Sequence, residues 1–180
     1  MDNYERINRE LIHKGVIIDY YQDTMKIPNG TTAKWDFINH KGAAAVVAVK
    51  DDGRLLMVRQ YRNALERETL EIPAGGLNPG EATDLAAARE LEEETGFKTE
   101  KLEYLLSLNT TIAFCDEAID VFLARNLIPS EQHLDPDEEI EVEEWELSDL
   151  LDLIYSGKMT DGKTVASILA YACRVNSNGR

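Results

Sequence analysis

The sequence predicts a mixed α/β (α+β) fold, and three observations carry that expectation. Short apolar, β-branched runs bounded by turn residues recur along the chain, as strands do. Residues 83–95 and 160–175 instead space their apolar side chains with helical period. The 180 residues, 43% of them hydrophobic, are enough for one ordinary domain with a real core.

Taken in order, GVIIDYYQDTM (15–25) and TAKWDFINH (32–40) flank a Pro28-Asn29-Gly30 turn and read as an amino-terminal hairpin. GAAAVVAVK (42–50) lies between polar turns as a buried strand, and RLLMVRQYR (54–62) is its neighbour across Asp51-Asp52-Gly53. LEIPAGG (70–76) ends a further strand in a Pro/Gly loop. A helix over 83–95 follows, with Thr83 or Asp84 placed to cap its start and Gly96 to end it. KLEYLLSLNTT (101–111) and AIDVFLARNL (118–127) read as paired strands around a loop at 112–117. EEIEVEEWEL (138–147) is another strand, SDLLDLIYSG (148–157) a short helix, and residues 160–175 a closing amphipathic helix.

Composition narrows the function. The net charge of −15 argues against a nucleic-acid backbone as partner, since that binding needs a basic stripe. Small phosphorylated ligands stay open, because bound cations reverse the local sign. No apolar run reaches the ~18 residues of a membrane span. The start, MDNYERINRE, lacks a signal-peptide core. Cys115 and Cys173 form neither a disulfide framework nor a metal knuckle, so a reducing cytoplasm is expected. His13, His40 and His133 are scattered without zinc spacing, and His40 reads as structural. Residues 131–149 contain no Lys or Arg and read mostly as a solvated acidic segment.

The informative stretch is GGLNPGEATDLAAARELEEETGF, residues 75–97. At ~100° per residue, Glu90, Glu93 and Glu94 fall within an arc of roughly 100°, with Ala88, Leu91 and Thr95 opposite. Like charges at i,i+4 cost about 0.2–0.5 kcal/mol per pair, a conflict that a divalent cation removes. Carboxylate oxygens suit Mg²⁺ or Mn²⁺. Gly75 and Gly76 allow close approach of the backbone to a ligand, Glu81 sits in the loop, and Arg89 can brace Glu93 one turn on.

Gly75-x5-Glu81-x7-Arg89-Glu90-Leu91-x-Glu93-Glu94-x-Gly96-Phe97 resembles the signature of the Nudix hydrolases, with every specified position filled. The resemblance implies an α/β/α sandwich around a mixed sheet, and cation-dependent hydrolysis of a nucleoside diphosphate linked to another group. It implies Glu90, Glu94 and the carbonyl of Ala74 as metal ligands, Glu93 as a further ligand or a base, and Arg89 as the partner orienting Glu93. Outside the signature the chain is similar to the ADP-ribose pyrophosphatase branch. That likeness runs through Pro28-Asn29-Gly30, Val58-Arg59-Gln60-Tyr61-Arg62, Leu70-Glu71-Ile72-Pro73-Ala74-Gly75, Phe122-Leu123-Ala124-Arg125 and Lys163-Thr164. It implies residues 1–40 as a β-strand dimerisation arm of a homodimer and 41–180 as the hydrolase domain.

The same likeness puts Glu138, on a late loop before a strand, as base, with Glu93 and neighbouring Glu139 as alternatives. Arg62 would hold a phosphate by paired hydrogen bonds, or else make an exposed strand-end ion pair. Trp35 would stack on adenine, or else pack in a core or interface. Glu117 would meet the ribose side of the substrate or a metal-held water. The branch's Ser-Pro-Gly-like turn is replaced by Thr111-Ile112-Ala113-Phe114-Cys115-Asp116-Glu117, which gives that loop a different shape. The expected reaction cleaves ADP-ribose or a related nucleoside diphosphate sugar with Mg²⁺ (or Mn²⁺). Other sugar nucleotides, dinucleotides or damaged triphosphates are the alternative substrates, and a non-catalytic nucleotide sensor is the alternative class.

Overall fold

The computed structural model describes residues 3–136 and 138–178. Two compact units emerge. One comprises residues 1–42 with 109–118, and the other 43–108 with 119–180.

The first unit is an antiparallel three-stranded sheet in the order β1-β2-β3, formed by β1 (Glu5–Lys14), β2 (Asp19–Lys26) and β3 (Thr32–Asn39). The expected hairpin is β2–β3, turning at Gly30 with φ +86°. β1 extends it into a sheet. Its charged residues show no alternation to betray a strand, because nearly all of them are exposed. Backbone pairing with β2 holds it, together with a two-pronged bond from Arg9 to the buried Asp23 at 2.7 and 2.6 Å. The Arg9 guanidinium also lies 3.6 Å from the ring centre of Phe37. Residues 109–118 attach to the end of β3, with Asp116 accepting from the Asn39 amide and the His40 N–H.

The second unit is built on β4 (Ala43–Val49), β5 (Leu55–Arg62), β6 (Arg67–Glu71), β7 (Ala74–Gly76), α1 (Thr83–Thr95), β8 (Phe97–Lys98), β9 (Leu102–Asn109), β10 (Ala118–Ala124), β11 (Ile128–Pro129), β12 (Ile140–Trp145), α2 (Leu147–Tyr155) and α3 (Gly162–Asn178). Its mixed sheet runs β12-β5-β4-β10-β9, with β6 paired to β5 and β7 to β4. β4 and β10 are parallel, and the other registered pairs are antiparallel.

Every residue of β4 is buried, which is why it reads as a continuous apolar run. Ala43, Ala45, Val47 and Val49 face a core that includes Leu150 of α2 and Ile168 of α3. Ala44, Val46 and Ala48 face Ala86, Ala87 and Leu91 of α1. Helices thus cover both faces of one mixed sheet, the sandwich the sequence leads one to expect. No helix among the described residues is long and apolar enough to cross a membrane.

One local expectation needs correction. The N-cap of α1 is Ala82, in extended conformation, and no side chain caps the helix. Asp84 instead accepts from the N–H of Leu85, its own neighbour, at 2.9 Å. Glu90 and Glu94 are buried with Leu91, close beneath the β7 backbone at Ala74 and Gly75.

Candidate active site

β4 and β7 pair at Ala45–Ala74, Ala44–Gly75 and Ala43–Gly76, which lays the glycine-rich segment along α1. Gly75 brings the backbone close to Glu90 there. A Cβ on it would lie 2.1–2.3 Å from the Glu90 carboxyl group, which would have to shift. Glu94, only 3% exposed, accepts the Ala74 N–H at 2.9 Å. Two acidic side chains one helical turn apart are therefore pressed beneath backbone.

The electrostatic result is severe. Burial pushes the Glu94 carboxyl up to about 8, the nearby charges of Glu90 and Glu138 add to the rise, and the Ala74 N–H only partly offsets it. Burial likewise raises Glu90. Glu138 is exposed in the loop before β12, yet its charge acts on both carboxyls. That loop is tied down on α1. The Ser130 N–H donates to the carbonyl of Gly96 at 2.7 Å, the Gln132 amide to the carbonyl of Glu94 at 2.7 Å, and the His133 N–H to the carbonyl of Glu93 at 2.9 Å.

Arg89 does more than brace Glu93. Its Nη1 donates to Glu93 at 2.8 Å and to Glu90 at 2.6 Å. Nε and Nη2 hold Glu81 at 3.0 and 3.1 Å, and Nη2 also reaches the carbonyl of Gly76 at 3.0 Å. One guanidinium thus fastens the loop to the helix. The bond from Arg89, with the Asn78 N–H, lowers Glu81 to about 2.

Among the described residues no three acidic, histidine or cysteine side chains form a ready-made cation cage. The donor chemistry nevertheless fits a hard divalent cation. Glu90 and Glu94 are oxygen donors whose ionised forms are destabilised by burial, and a cation reverses that penalty.

At the end of β5, Arg62 donates from Nε and Nη2 to Glu71, both at 2.7 Å. Arg62 thus makes a strand-end ion pair, while its side chain remains 41% exposed. Glu71 is 2% exposed and also takes bonds from Thr69 and Lys163. Sequence spacing does not distinguish this glutamate from any other in a strand. Besides Thr69 on its own strand, its partners come from α3 and β5, brought together only by the fold.

Trp35 and Glu117 belong to the amino-terminal unit. Trp35 is half exposed, tilted against Tyr4 with ring centres 5.7 Å apart. It lines an open depression with Lys34, Asp36, Ala113 and Phe114. Glu117 accepts from the Thr110 hydroxyl and lies 3.4 Å from His40 Nδ1. His40 Nδ1 accepts from the Gly42 N–H at 3.1 Å.

Comparison with known proteins agrees with this architecture. The NUDIX domain family model matches residues 39–168. An ADP-ribose pyrophosphatase of Bacillus subtilis is 43% identical over 164 residues, 90% of this chain and 89% of the relative. A methanol dehydrogenase activator of Bacillus methanolicus is 39% identical over the same share of each chain. A crystal structure of an ADP compounds hydrolase superposes with a TM-score of 0.87 at 22% identity, covering 98% of this chain and 96% of that one, and so shares the fold. The filled signature, the loop–helix geometry that places it and the match along most of the chain agree, and the protein belongs to the Nudix hydrolase family.

Proposed function

We propose that the protein hydrolyses the pyrophosphate bond of ADP-ribose or a related nucleoside diphosphate sugar, using Mg²⁺, for which Mn²⁺ can substitute. The observation that carries this reading is the pair Glu90 and Glu94, buried close beneath the backbone of Ala74 and Gly75. Such a pair is costly in an apo protein and useful once a cation arrives. The relatives named for ADP-ribose support the substrate.

Glu90, Glu94 and the Ala74 carbonyl would hold the cation. When bound, it neutralises pyrophosphate charge and activates the attacking water. The chain's own residues do the rest. Arg89 fixes the loop and orients Glu93. Glu138 is the preferred base over Glu93 and Glu139. Glu93 already gives an oxygen to Arg89, whereas the Glu138 carboxylate meets only the Asp135 N–H, at 3.4 Å, among the described residues. Arg62 offers its outward donors to a phosphate. Trp35 is a stacking surface for a base, and Glu117 a polar contact for the ribose side. A reducing cytoplasm is the assigned compartment.

We also read the amino-terminal unit as the surface through which two copies pair, since Ile7, Leu11, Ile12 and Val16 are all exposed there. The loop 111–117 favours a second reading of the substrate only, with another nucleotide preferred over ADP-ribose.

The test is incubation of the purified protein with Mg²⁺ and a panel of sugar nucleotides, dinucleotides and triphosphates, followed by product separation. ADP-ribose should yield AMP and ribose 5-phosphate. Turnover of triphosphates with none of ADP-ribose would sink the substrate assignment.

A further inference from the structure

Glu71 accepts four hydrogen bonds from side chains. Oε1 takes them from Arg62 Nε at 2.7 Å and Thr69 Oγ1 at 2.6 Å, and Oε2 from Arg62 Nη2 at 2.7 Å and from Lys163 Nζ. A carboxylate has about four acceptor sites, so Glu71 has none left for a cation, a water or a substrate. Its work is directed at the groups that hold it.

Two of those donors belong to α3 and β6, and neither is free to drift. Lys163 also binds Asp161 at 2.9 Å. Asp161 accepts from the N–H and hydroxyl of Thr164 at 3.1 and 2.6 Å. The Thr164 hydroxyl in turn accepts the N–H of Ile72, the residue after Glu71, at 3.0 Å. The first turn of α3 is thus stitched to both the side chain and the backbone at the end of β6. Of all the groups on Glu71, only Arg62 reaches well into solvent.

A guanidinium carries five N–H donors in a planar fork. Glu71 takes two, leaving both on Nη1 and one on Nη2. We infer that Glu71 is a positioning residue: it clamps one edge of the Arg62 guanidinium so that the other edge presents paired donors to a substrate phosphate. This rests on the proposed reading of Arg62 as a phosphate-holding residue. A lysine at position 62 could keep the charge and the contact with Glu71, but would lose the second, oriented edge.

The test compares the full-length wild type, R62A, R62K, E71Q, E71D and the E71Q/R62A double variant, with Mg²⁺ and ADP-ribose. Affinity for a non-hydrolysable ADP-ribose analogue is measured alongside by calorimetry. E71Q should raise KM and the analogue's Kd by about tenfold while kcat stays within about threefold, the signature of lost ground-state binding. In the R62A background, adding E71Q should change KM by less than about twofold, because its effect passes through Arg62. R62K leaves the buried carboxylate in place and should raise KM at least about fivefold, which tests the oriented second edge of Arg62 on which the clamp acts. E71D, which keeps the charge but draws it back by one methylene, should raise KM as E71Q does and tests the clamp itself if E71Q does not fold. A wild-type KM in E71Q, E71D or R62K, or an undiminished effect of E71Q in the R62A background, overturns the inference. A wild type that turns over no nucleoside diphosphate sugar sinks the proposed function instead.

Discussion

Glu94 sits where a carboxylic acid holds its proton well into the neutral range. Burial raises it from an ordinary 4.5 to about 8. Below pH 4.5 the folded and unfolded chains both carry this proton and no penalty arises. Between 4.5 and 8 the unfolded chain releases it while the folded chain retains it, so stability declines as pH rises, at up to about 1.4 kcal/mol per pH unit. Above 8 the loss levels off. The melting temperature of the wild type in EDTA should therefore fall from pH 5 to pH 8 more steeply than that of E94Q. Parallel profiles would remove the argument. Adding Mg²⁺ should restore stability in the wild type and not in E94Q. With substrate, E94Q should lose at least about a hundredfold in turnover if it removes a principal ligand, and near-normal rates would contradict that role. Glu71 has the opposite sign. Burial alone would raise it, but Arg62, Lys163 and Thr69 bring it down to about 2, so its contribution is fully present above pH 4.5 and is lost as pH falls toward 2.

At the scale of the element, α1 depends on how it ends. Gly96 has φ +70°, donates its N–H to the carbonyl of Glu92 at 2.9 Å and accepts from the Ser130 N–H. A Cβ there would meet the backbone nitrogen of Gln132 at 3.2 Å in addition to the left-handed strain. Gly96→Ala should cost about 1–2 kcal/mol in urea unfolding. It should also slow catalysis by loosening the 130–133 segment that carries the chain toward Glu138. A variant as stable and as active as the wild type would show that this junction does not matter. The stop at Gly96 is legible in the sequence because only local geometry is involved. The start is not, since the cap position falls on Ala82 and the Asp84 carboxylate is spent on the N–H of its own neighbour Leu85. Periodicity locates the carboxylate face of α1 but not its depth, because the covering segment, Ala74–Gly76, comes from a strand paired with β4. The Glu71 cluster is invisible for the same reason. Its members lie 92 residues apart in Lys163 and 9 apart in Arg62, and no local pattern links them.

At the scale of the molecule, the amino-terminal unit carries exposed aliphatic side chains. β1 pairs with β2 along one edge and leaves its other edge without a strand partner among the described residues. It exposes Ile7, Leu11 and Ile12, each about half accessible, and the turn after it exposes Val16 at 99%. An open strand edge beside exposed aliphatic side chains is prone to aggregation unless another surface covers it. A second copy is the proposed cover, since the strand edge and the aliphatic side chains beside it lie on one unit. Within the unit, β1 is held by backbone pairing with β2 rather than by buried aliphatic groups. Arg9, Asp23 and Phe37 lock it from the other strands of the unit. Replacing Ile7 and Leu11 together by lysine should therefore leave the secondary structure intact by circular dichroism. The mass measured by light scattering at micromolar concentration should fall from that of two chains to that of one. A wild type that is already monomeric under those conditions, or a double variant that remains paired, would place the contact elsewhere.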